Sequence, residues 1–541
     1  MIKVIEKDYL YYFLVIILGI YPPLVGLYYD GTGGIIKFFE ADTFYYLNIL
    51  KRSLEINYYS YDGYYPTNGF HPLWQYFLTF SAKIFNLKDL DDFIYLVFFS
   101  SITFSTIGSL FIFNAIKKIT NNSLLSLIAT IPNLYYLLFG SIHLSFNAYW
   151  SYINGMESSI SYLFFGTFLY LIINKEYFKE LNTLSLWQFI SLGIVLSFLI
   201  LSRLDDIFIM ISIAIFMFVY LDYKNYLKAS FVGLIPFLVI LLYLLYNHDY
   251  SNYYMPSSGG SKFSFNYHNI ISSIRLIFPP DFKLQQLNMY SVWSELEQRA
   301  AQMIMPLLIV SVFIYNVRKK VLSYNEKILL LLSSYTTIKA LFNLFFVPIW
   351  HQGHWYYTIS ITISSILIAY MIKDIKFNTK ISIVLVSVYI MITANSYMSY
   401  KKFIHHNNTY STFYSQKNSI QNMLDKKNVK GIIELDDGII GFSLKNKTLS
   451  FLGFALDYEA LESKKNGNLF NLAYNRGYNA FASSNYLFDA TDDVLHDNLK
   501  LNEYIKSNVF LRNENLVNFE FSLLFKDEKS GAIFIKFNKR N

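Results

Sequence analysis

The chain has 541 residues, of which 54% are hydrophobic and 15% charged, with a formal net charge of +7 and no cysteine. That composition excludes an ordinary soluble protein and fits a polytopic helical membrane protein. The modest positive charge suits basic cytoplasmic loops better than a nucleic-acid surface, and the missing cysteine excludes disulfides, thiolate catalysis and cysteine metal sites.

Apolar runs approach the roughly 20 residues that a bilayer-spanning helix needs. They lie near 9–29, 93–116, 122–140, 157–174, 184–202, 205–222, 229–246, 301–317, 326–347, 354–373 and 380–397. The first, Tyr9 to Tyr29, lacks the small-residue cleavage pattern of a signal peptide and reads as a retained helix. A shorter run, 71–86, follows His71. If it crosses, the count places Lys117-Lys118 on the outer side, against the rule that basic loops stay inside. Three alternatives stay open: 71–86 stops short, a further crossing lies near 141–156, or the two lysines break the rule. About 11–13 crossings are expected, with the N-terminus inside.

Basic clusters at Lys117-Lys118, Lys175/Lys179, Lys224/Lys228, Arg318-Lys319-Lys320 and Lys373/Lys376 mark the cytoplasmic side. The first loop, the loop 247–300 and the tail then face outward. We expect a transmembrane domain over 1–397, with a first periplasmic loop at 30–70 and a second large loop at 247–300. Residues 398–541 turn polar and carry short β-like runs. "VKGIIELDDGIIGF" reads as strand, turn, strand, and "GAIFIKF" as a late strand, so the tail is expected to be an extracytoplasmic α/β domain. The aspartates and glycines of 436–441 read as a tight turn or a binding loop.

The stretch from Phe39 to Trp74 combines two carboxylates, an amide, a histidine and many aromatics. Turn formers interrupt it at Asp62-Gly63, Tyr65-Pro66 and Asn68-Gly69. Phe39-Glu40-Ala41-Asp42-Thr43-Phe44-Tyr45-Tyr46-Leu47 and Pro66-Thr67-Asn68-Gly69-Phe70-His71-Pro72-Leu73-Trp74 resemble the first periplasmic loop of bacterial GT-C glycosyltransferases. The likeness is to the family 39 / mannosyltransferase-like group, polytopic enzymes that take a sugar from a polyprenyl-phosphate donor. Many relatives have two adjacent acids where this chain has Ala41 and Asp42, with Glu40 one residue further back. A second likeness lies at Pro256, Ser257, Ser258, Gly259, Gly260 and Lys262.

The resemblance implies a GT-C-like membrane glycosyltransferase. Asp42, at the end of the first helix, would be the base for an inverting transfer, with Glu40 as its competitor; the alternative is a solvated helix-end acid. Asn68, His71 and Trp74 would line the cavity, or Asn68-Gly69 turns the chain and His71-Pro72 starts a helix. Glu157 would face the cavity or oppose a helix dipole. Arg203 and Asp205 sit between strongly apolar segments, where ionisable groups are costly unless paired or facing water; Arg203 would meet the donor and Asp205 line the cavity, or the two would pair. Glycine amides, serines and Lys262 suit a phosphate, against a flexible loop with a snorkelling lysine. His351, His354 and Tyr356 would touch the donor sugar or phosphate, or belong to an interfacial aromatic belt. Two histidines three apart leave a divalent metal open, but no metal ligands are assigned and no cofactor is named.

The implied partners are a polyprenyl-phosphate-linked sugar, an extracytoplasmic lipid, glycan or protein acceptor, and the lipid bilayer, with no nucleic acid. The implied location is the inner (cytoplasmic) membrane. The competing classes are a polyprenyl-lipid or polysaccharide transporter without glycosyl transfer, and a membrane-anchored binding protein. Transporters often show repeated halves, and this chain shows no evident repeat.

Overall fold

The computed structural model describes residues 2–130, 152–179, 183–220, 226–262, 290–318, 321–347, 353–374, 409–435, 438–453, 455–483, 490–508 and 511–540. In chain order the helices up to residue 371 are α1 (Ile2–Ile36), α2 (Thr43–Ile56), α3 (Pro72–Ile84), α4 (Leu90–Thr120), α5 (Ser123–Thr130), α6 (Ser158–Leu169), α7 (Leu186–Ser202), α8 (Phe208–Tyr220), α9 (Tyr226–Ser251), α10 (Ser257–Lys262), α11 (Tyr290–Val317), α12 (Tyr324–Phe346) and α13 (Thr358–Met371). The chain divides into two compact units. The first comprises Met1–Val25, Phe99–Leu241 and Lys262–Lys402, and the second Gly26–Phe98, Leu242–Ser261 and Phe403–Asn541.

The first unit is a helical bundle with an apolar interior. Phe165, Phe168, Leu192, Leu196, Ile213, Leu332, Ile363 and Leu367 are all buried in one cluster. Small residues let helices close: a Cβ on Gly166 would stand 2.7 Å from the carbonyl oxygen of Gly108, so α6 and α4 approach backbone to backbone. Capping boxes at Ser185/Gln188 and Ser323/Glu326 start α7 and α12. Among the described residues, three helices are long and apolar enough to cross a membrane: Leu90–Thr120, Ala229–Ser251 and Tyr324–Phe346. Shorter apolar helices run over Tyr9–Ile20, Ser158–Asn174, Leu186–Ser202, Ile304–Val317 and Trp355–Met371. The run 71–86 forms a helix of only 13 residues, α3. At 1.5 Å per residue that is about 20 Å, short of a hydrocarbon core of about 30 Å, which favours the reading in which 71–86 does not cross. The expected span 380–397 and residues 141–151 lie outside the described residues.

The second unit holds a five-stranded sheet in the tail. Its strands are β1 (Gly431–Glu434), β2 (Lys447–Ser450), β3 (Ala480–Ser483), β4 (Phe519–Lys526) and β5 (Ile533–Lys539), in the order β2-β1-β3-β5-β4. β1 pairs in parallel with β2 and β3, and β5 runs antiparallel to β3 and β4. Parallel pairs need crossovers, and the helices Tyr458–Lys465 and Leu469–Asn475 lie between β2 and β3. Every residue of β1 and β3 is buried, as expected of strands covered on both faces. The late strand anticipated at Gly531–Phe537 is β5. The strand anticipated after the Asp436-Asp437 turn is instead a short helix, Ile439–Ser443. A short apolar run does not distinguish strand from helix by pattern; here Gly438, at φ 73°, turns the chain into a helix.

That short helix abuts α2. A Cβ on Gly438 would stand 2.9 Å from the Tyr45 amide nitrogen, and one on Gly441 would stand 2.6 Å from Asn48 Nδ2. The Lys51 ammonium donates to the carbonyls of Gly441, Phe442 and Leu444 at 2.8, 2.8 and 2.7 Å, capping the helix. Arg52 reaches the carbonyls of Lys445 and Asn446. Tyr478 donates to Asp62 Oδ2 at 3.0 Å, and Thr67 to the Leu456 carbonyl at 3.0 Å.

Two predictions follow from this unit. Lys51→Ala leaves three carbonyls without their donor and should destabilise the docking of α2 by about 2 kcal/mol. Hydrogen exchange of residues 439–446 in the solubilised full chain should accelerate, with β4 and β5 unchanged; equal exchange would show the cap to be dispensable.

The second concerns Glu514. Burial pushes its carboxyl up to about 7, against the opposing pull of the Leu469 and Phe470 amides and Lys464. A carboxyl raised in the folded state favours folding in its protonated form, so its contribution is full below about 4.5 and is lost as pH rises through 7. Lys464, lowered by burial to about 8, is mostly charged up to pH 7 and neutralises above it, so the window that reports Glu514 ends there. Exchange-derived opening free energies of the sheet, corrected for intrinsic rates, should fall between pH 5 and 7, by about 2 kcal/mol. Glu514→Gln should flatten the curve.

Candidate functional site

The first-loop residues belong to the second unit. Asp42 does not close α1, which ends at Ile36 after a non-helical Gly31 (φ 55°, ψ −133°). Residues 37–42 turn the chain, and the amides of Thr43, Phe44 and Tyr45 donate to the carbonyls of Glu40, Ala41 and Asp42 at 3.0, 3.1 and 3.2 Å. Asp42 is therefore the N-cap residue of α2, with helical φ/ψ of −61° and −18°, and its side chain does not cap the helix. The helix dipole favours a carboxylate there. Asp42 and Glu40 are both half-buried.

The loop after α2 is irregular and tightly tied. Asp62 Oδ1 accepts from the amides of Tyr64 and Tyr65, both at 2.8 Å. Asn68 is buried: its amide donates to Ser251 Oγ at 3.1 Å, and its Oδ1 accepts from the Ser257 amide at 3.0 Å. Asn68 thus ties the first motif to the start of the Pro256–Lys262 motif, so two sequence signals 189 positions apart meet at one hydrogen bond. His71, half-buried, is the N-cap residue of α3 with Pro72 behind it in the first turn. Trp74 is fully buried and stacks on Phe77, which makes it part of the packing of α3.

A second group of anticipated residues gathers in the first unit. Arg203 is 1% exposed. Its Nη1 donates to Glu157 Oε1 at 2.7 Å, and its Nε and Nη2 donate to Asp205 Oδ1 and Oδ2 at 3.1 and 3.2 Å. Its guanidinium lies over the Tyr356 ring, 4.6 Å from the centroid. Glu157 is the N-cap residue of α6 and is likewise 1% exposed. Asp206 is fully buried and accepts from Ser161 Oγ at 2.8 Å and the Tyr335 hydroxyl at 2.6 Å. Lys339, from the middle of α12, pairs with Asp206 and, at 3.2 Å, with Asp205.

The Tyr356 turn is itself closely built. Residues His354–Tyr357 form a 3-10 turn, and the Tyr356 amide donates to the Gly353 carbonyl at 3.0 Å. A Cβ on Gly353 would fall 2.2 Å from the Trp355 ring, so only glycine fits. Tyr152 donates its hydroxyl to the Thr358 carbonyl at 2.9 Å, where α13 begins.

Glu40, Asp42, Asn68, His71 and Trp74 thus fall in one unit, and Glu157, Arg203, Asp205 and Tyr356 in the other. Lys262 ends α10 and His354 opens the turn, with side chains outside the described residues; His351 lies wholly outside them. Sequence reading passed over Lys339 and Tyr335. The signal was present: a lone lysine within the apolar segment Ile328–Phe346 is a site hypothesis by default. Among the described residues, no group of three or more histidine, aspartate or glutamate side chains is arranged to hold a metal.

No protein-family model and no curated protein sequence matches the chain. Solved structures do. The Archaeoglobus fulgidus oligosaccharyltransferase complexed with zinc and sulfate aligns with a TM-score of 0.51 at 11% identity, over 98% of this chain and 73% of that one. The same protein tethered to an acceptor peptide containing an NVT sequon gives 0.54 at 10%, over 99% and 74%. ArnT from Cupriavidus metallidurans, bound to undecaprenyl phosphate, gives 0.51 at 8%, over 96% and 97%. At such identities the likeness is one of fold. The chain is an α-helical polytopic membrane protein of the GT-C fold, with an α/β domain in its C-terminal region.

Proposed function

We propose that the protein is an integral membrane glycosyltransferase that moves a monosaccharide from a polyprenyl-phosphate donor to an extracytoplasmic lipid-linked glycan, polysaccharide or protein. The observation that carries this reading is a shared fold, nearly end to end, with a protein that binds undecaprenyl phosphate. A second solved structure of this fold holds an acceptor peptide.

A sugar joined through phosphate to a lipid already has a good leaving group. What remains is to take the proton from the acceptor hydroxyl as it attacks the anomeric carbon from the opposite face. Asp42 is assigned that role, with Glu40 as the alternative acid two residues upstream. The bond from the anomeric carbon to the phosphate oxygen breaks as the new glycosidic bond forms, and the configuration inverts. Lys262, His351, His354 and Tyr356 are assigned to the donor, where cationic and hydroxyl groups would stabilise charge building on the departing phosphate. A zinc ion accompanies one structure of this fold. The protein sits in the cytoplasmic membrane with its site and tail outside the cytoplasm.

Orientation is tested in the naturally cysteine-free chain. Met255→Cys and Val517→Cys, both at exposed positions, should react with an impermeant maleimide in cells whose cytoplasmic membrane is intact and whose outer membrane, where there is one, is permeabilised. Val321→Cys, fully exposed beside the basic Arg318-Lys319-Lys320 cluster, should react only after lysis. The reverse pattern would invert the topology.

Chemistry is tested with undecaprenyl-phosphate sugars and purified protein. Asp42→Asn should slow transfer about 10²–10⁴-fold, the usual worth of a general base, and leave the protein folded. A loss confined to Glu40→Gln would move the base upstream. Wild-type rates in the double variant would remove the first loop from the chemistry, and no transfer by the wild type with any acceptor would favour a transporter.

A further inference from the structure

Two cations and three carboxylates meet within the first unit: Arg203 and Lys339 with Glu157, Asp205 and Asp206. Burying such a group brings little stability, because desolvation consumes most of the Coulombic gain. Networks of this kind persist where they fix a geometry or serve a site. What this one fixes can be traced atom by atom.

Arg203 is held on three sides. Glu157 takes one edge of its guanidinium, Asp205 takes another through two parallel bonds, and Tyr356 covers a face. A planar fork with all these partners has one orientation. Each of its three nitrogens donates to a protein carboxylate, and carboxylates outnumber cations in the cluster. A phosphate brought here would meet excess negative charge at low dielectric. The cluster is a poor anion site.

Lys339 decides how Asp205 is shared. It binds Asp205 Oδ2, the oxygen that also accepts from Arg203 Nη2, and it binds Asp206. Tyr335, one turn earlier on α12, also holds Asp206, and so does Ser161 from α6. Without Lys339, two aspartates would compete for one guanidinium, and Arg203 would be drawn toward Asp206 and away from the Tyr356 ring. The turn beneath it has little freedom to compensate, given Gly353 under Trp355 and the Tyr152 bond at Thr358.

We infer that Lys339, acting through Asp205 and Asp206, is a positioning residue that fixes Arg203 against Tyr356 and so sets the His354–Tyr357 turn, and that Arg203 orients this turn and does not bind the donor phosphate. The link to donor binding rests on the function proposed above; the link to the turn does not. Lys339 belongs to none of the chain's motifs and lies 133 residues from Asp206 in sequence.

The experiment uses the full chain in nanodiscs and compares wild type, Lys339→Met, Lys339→Arg and Lys339→Met/Asp206→Asn. Two readouts are taken: hydrogen exchange over 353–358, and binding of undecaprenyl phosphate alone. Lys339→Met should speed exchange of the Tyr356 amide at least tenfold while amides in the capped start of α7 keep their protection. It should weaken undecaprenyl-phosphate binding at least tenfold, and in transfer assays raise the donor KM by a similar factor with kcat within about threefold. Lys339→Arg should restore part of each. The double variant should restore more than Lys339→Met retains, because it removes the orphaned carboxylate together with its cation. Unchanged exchange over 353–358 in Lys339→Met would overturn the positioning claim, whatever happens to its melting temperature. Faster exchange with unchanged lipid binding would overturn its link to the donor. Wild-type protein that fails to bind undecaprenyl phosphate would instead refute the donor reading, and the exchange result would still decide whether Lys339 sets the turn.

Discussion

The bundle depends on a charge problem solved locally. Arg203, Asp205 and Asp206 interrupt an otherwise apolar path between α7 and α8. None of them could be buried alone; an isolated ion in such surroundings is expensive. The partners come from α6, from the middle of α12 and from the turn before α13. Where those groups meet, sliding any one helix would break bonds to the five charges and to the Tyr335 and Ser161 hydroxyls, so the network favours one register. Apolar packing brings the helices together but tolerates sliding; a charge network does not.

What could be read from the chain was what depends on composition and neighbours. Apolar runs gave most of the helices, and alternation gave β5. The first-loop and Pro256–Lys262 motifs were visible as residue strings, and the Arg203–Asp205 pair could be anticipated from two residues of separation. What could not be read depends on distant partners. Nothing near Lys339 says that Asp206 will face it. Nothing around Asn68 says that Ser257 will bond to it. Asp42 was expected at the end of α1 because it follows the first long apolar segment, with no second helix start visible between them. The break at Gly31 and the i→i+3 turn bonds after Glu40 place it at the start of the next helix instead. That difference matters chemically, since a carboxylate is favoured at a helix start.

The tail illustrates the same limit from the other side. Its polar composition marks it off from the apolar part of the chain, and a separate domain is the natural reading of such a shift. Yet the compact unit that contains it also contains Gly26–Phe98. The reason is visible at two glycines. Gly438 and Gly441 lie so close to the backbone of α2 and to Asn48 that a side chain at either position would collide with the first loop. Lys51 then closes the carbonyl end of the same short helix from the α2 side. The glycines leave room for α2, and the lysine on α2 donates to three carbonyls of the tail. Two segments almost 400 residues apart in the chain are therefore one packing unit, and the helix whose N-cap residue is Asp42 takes its support from the C-terminal sheet domain.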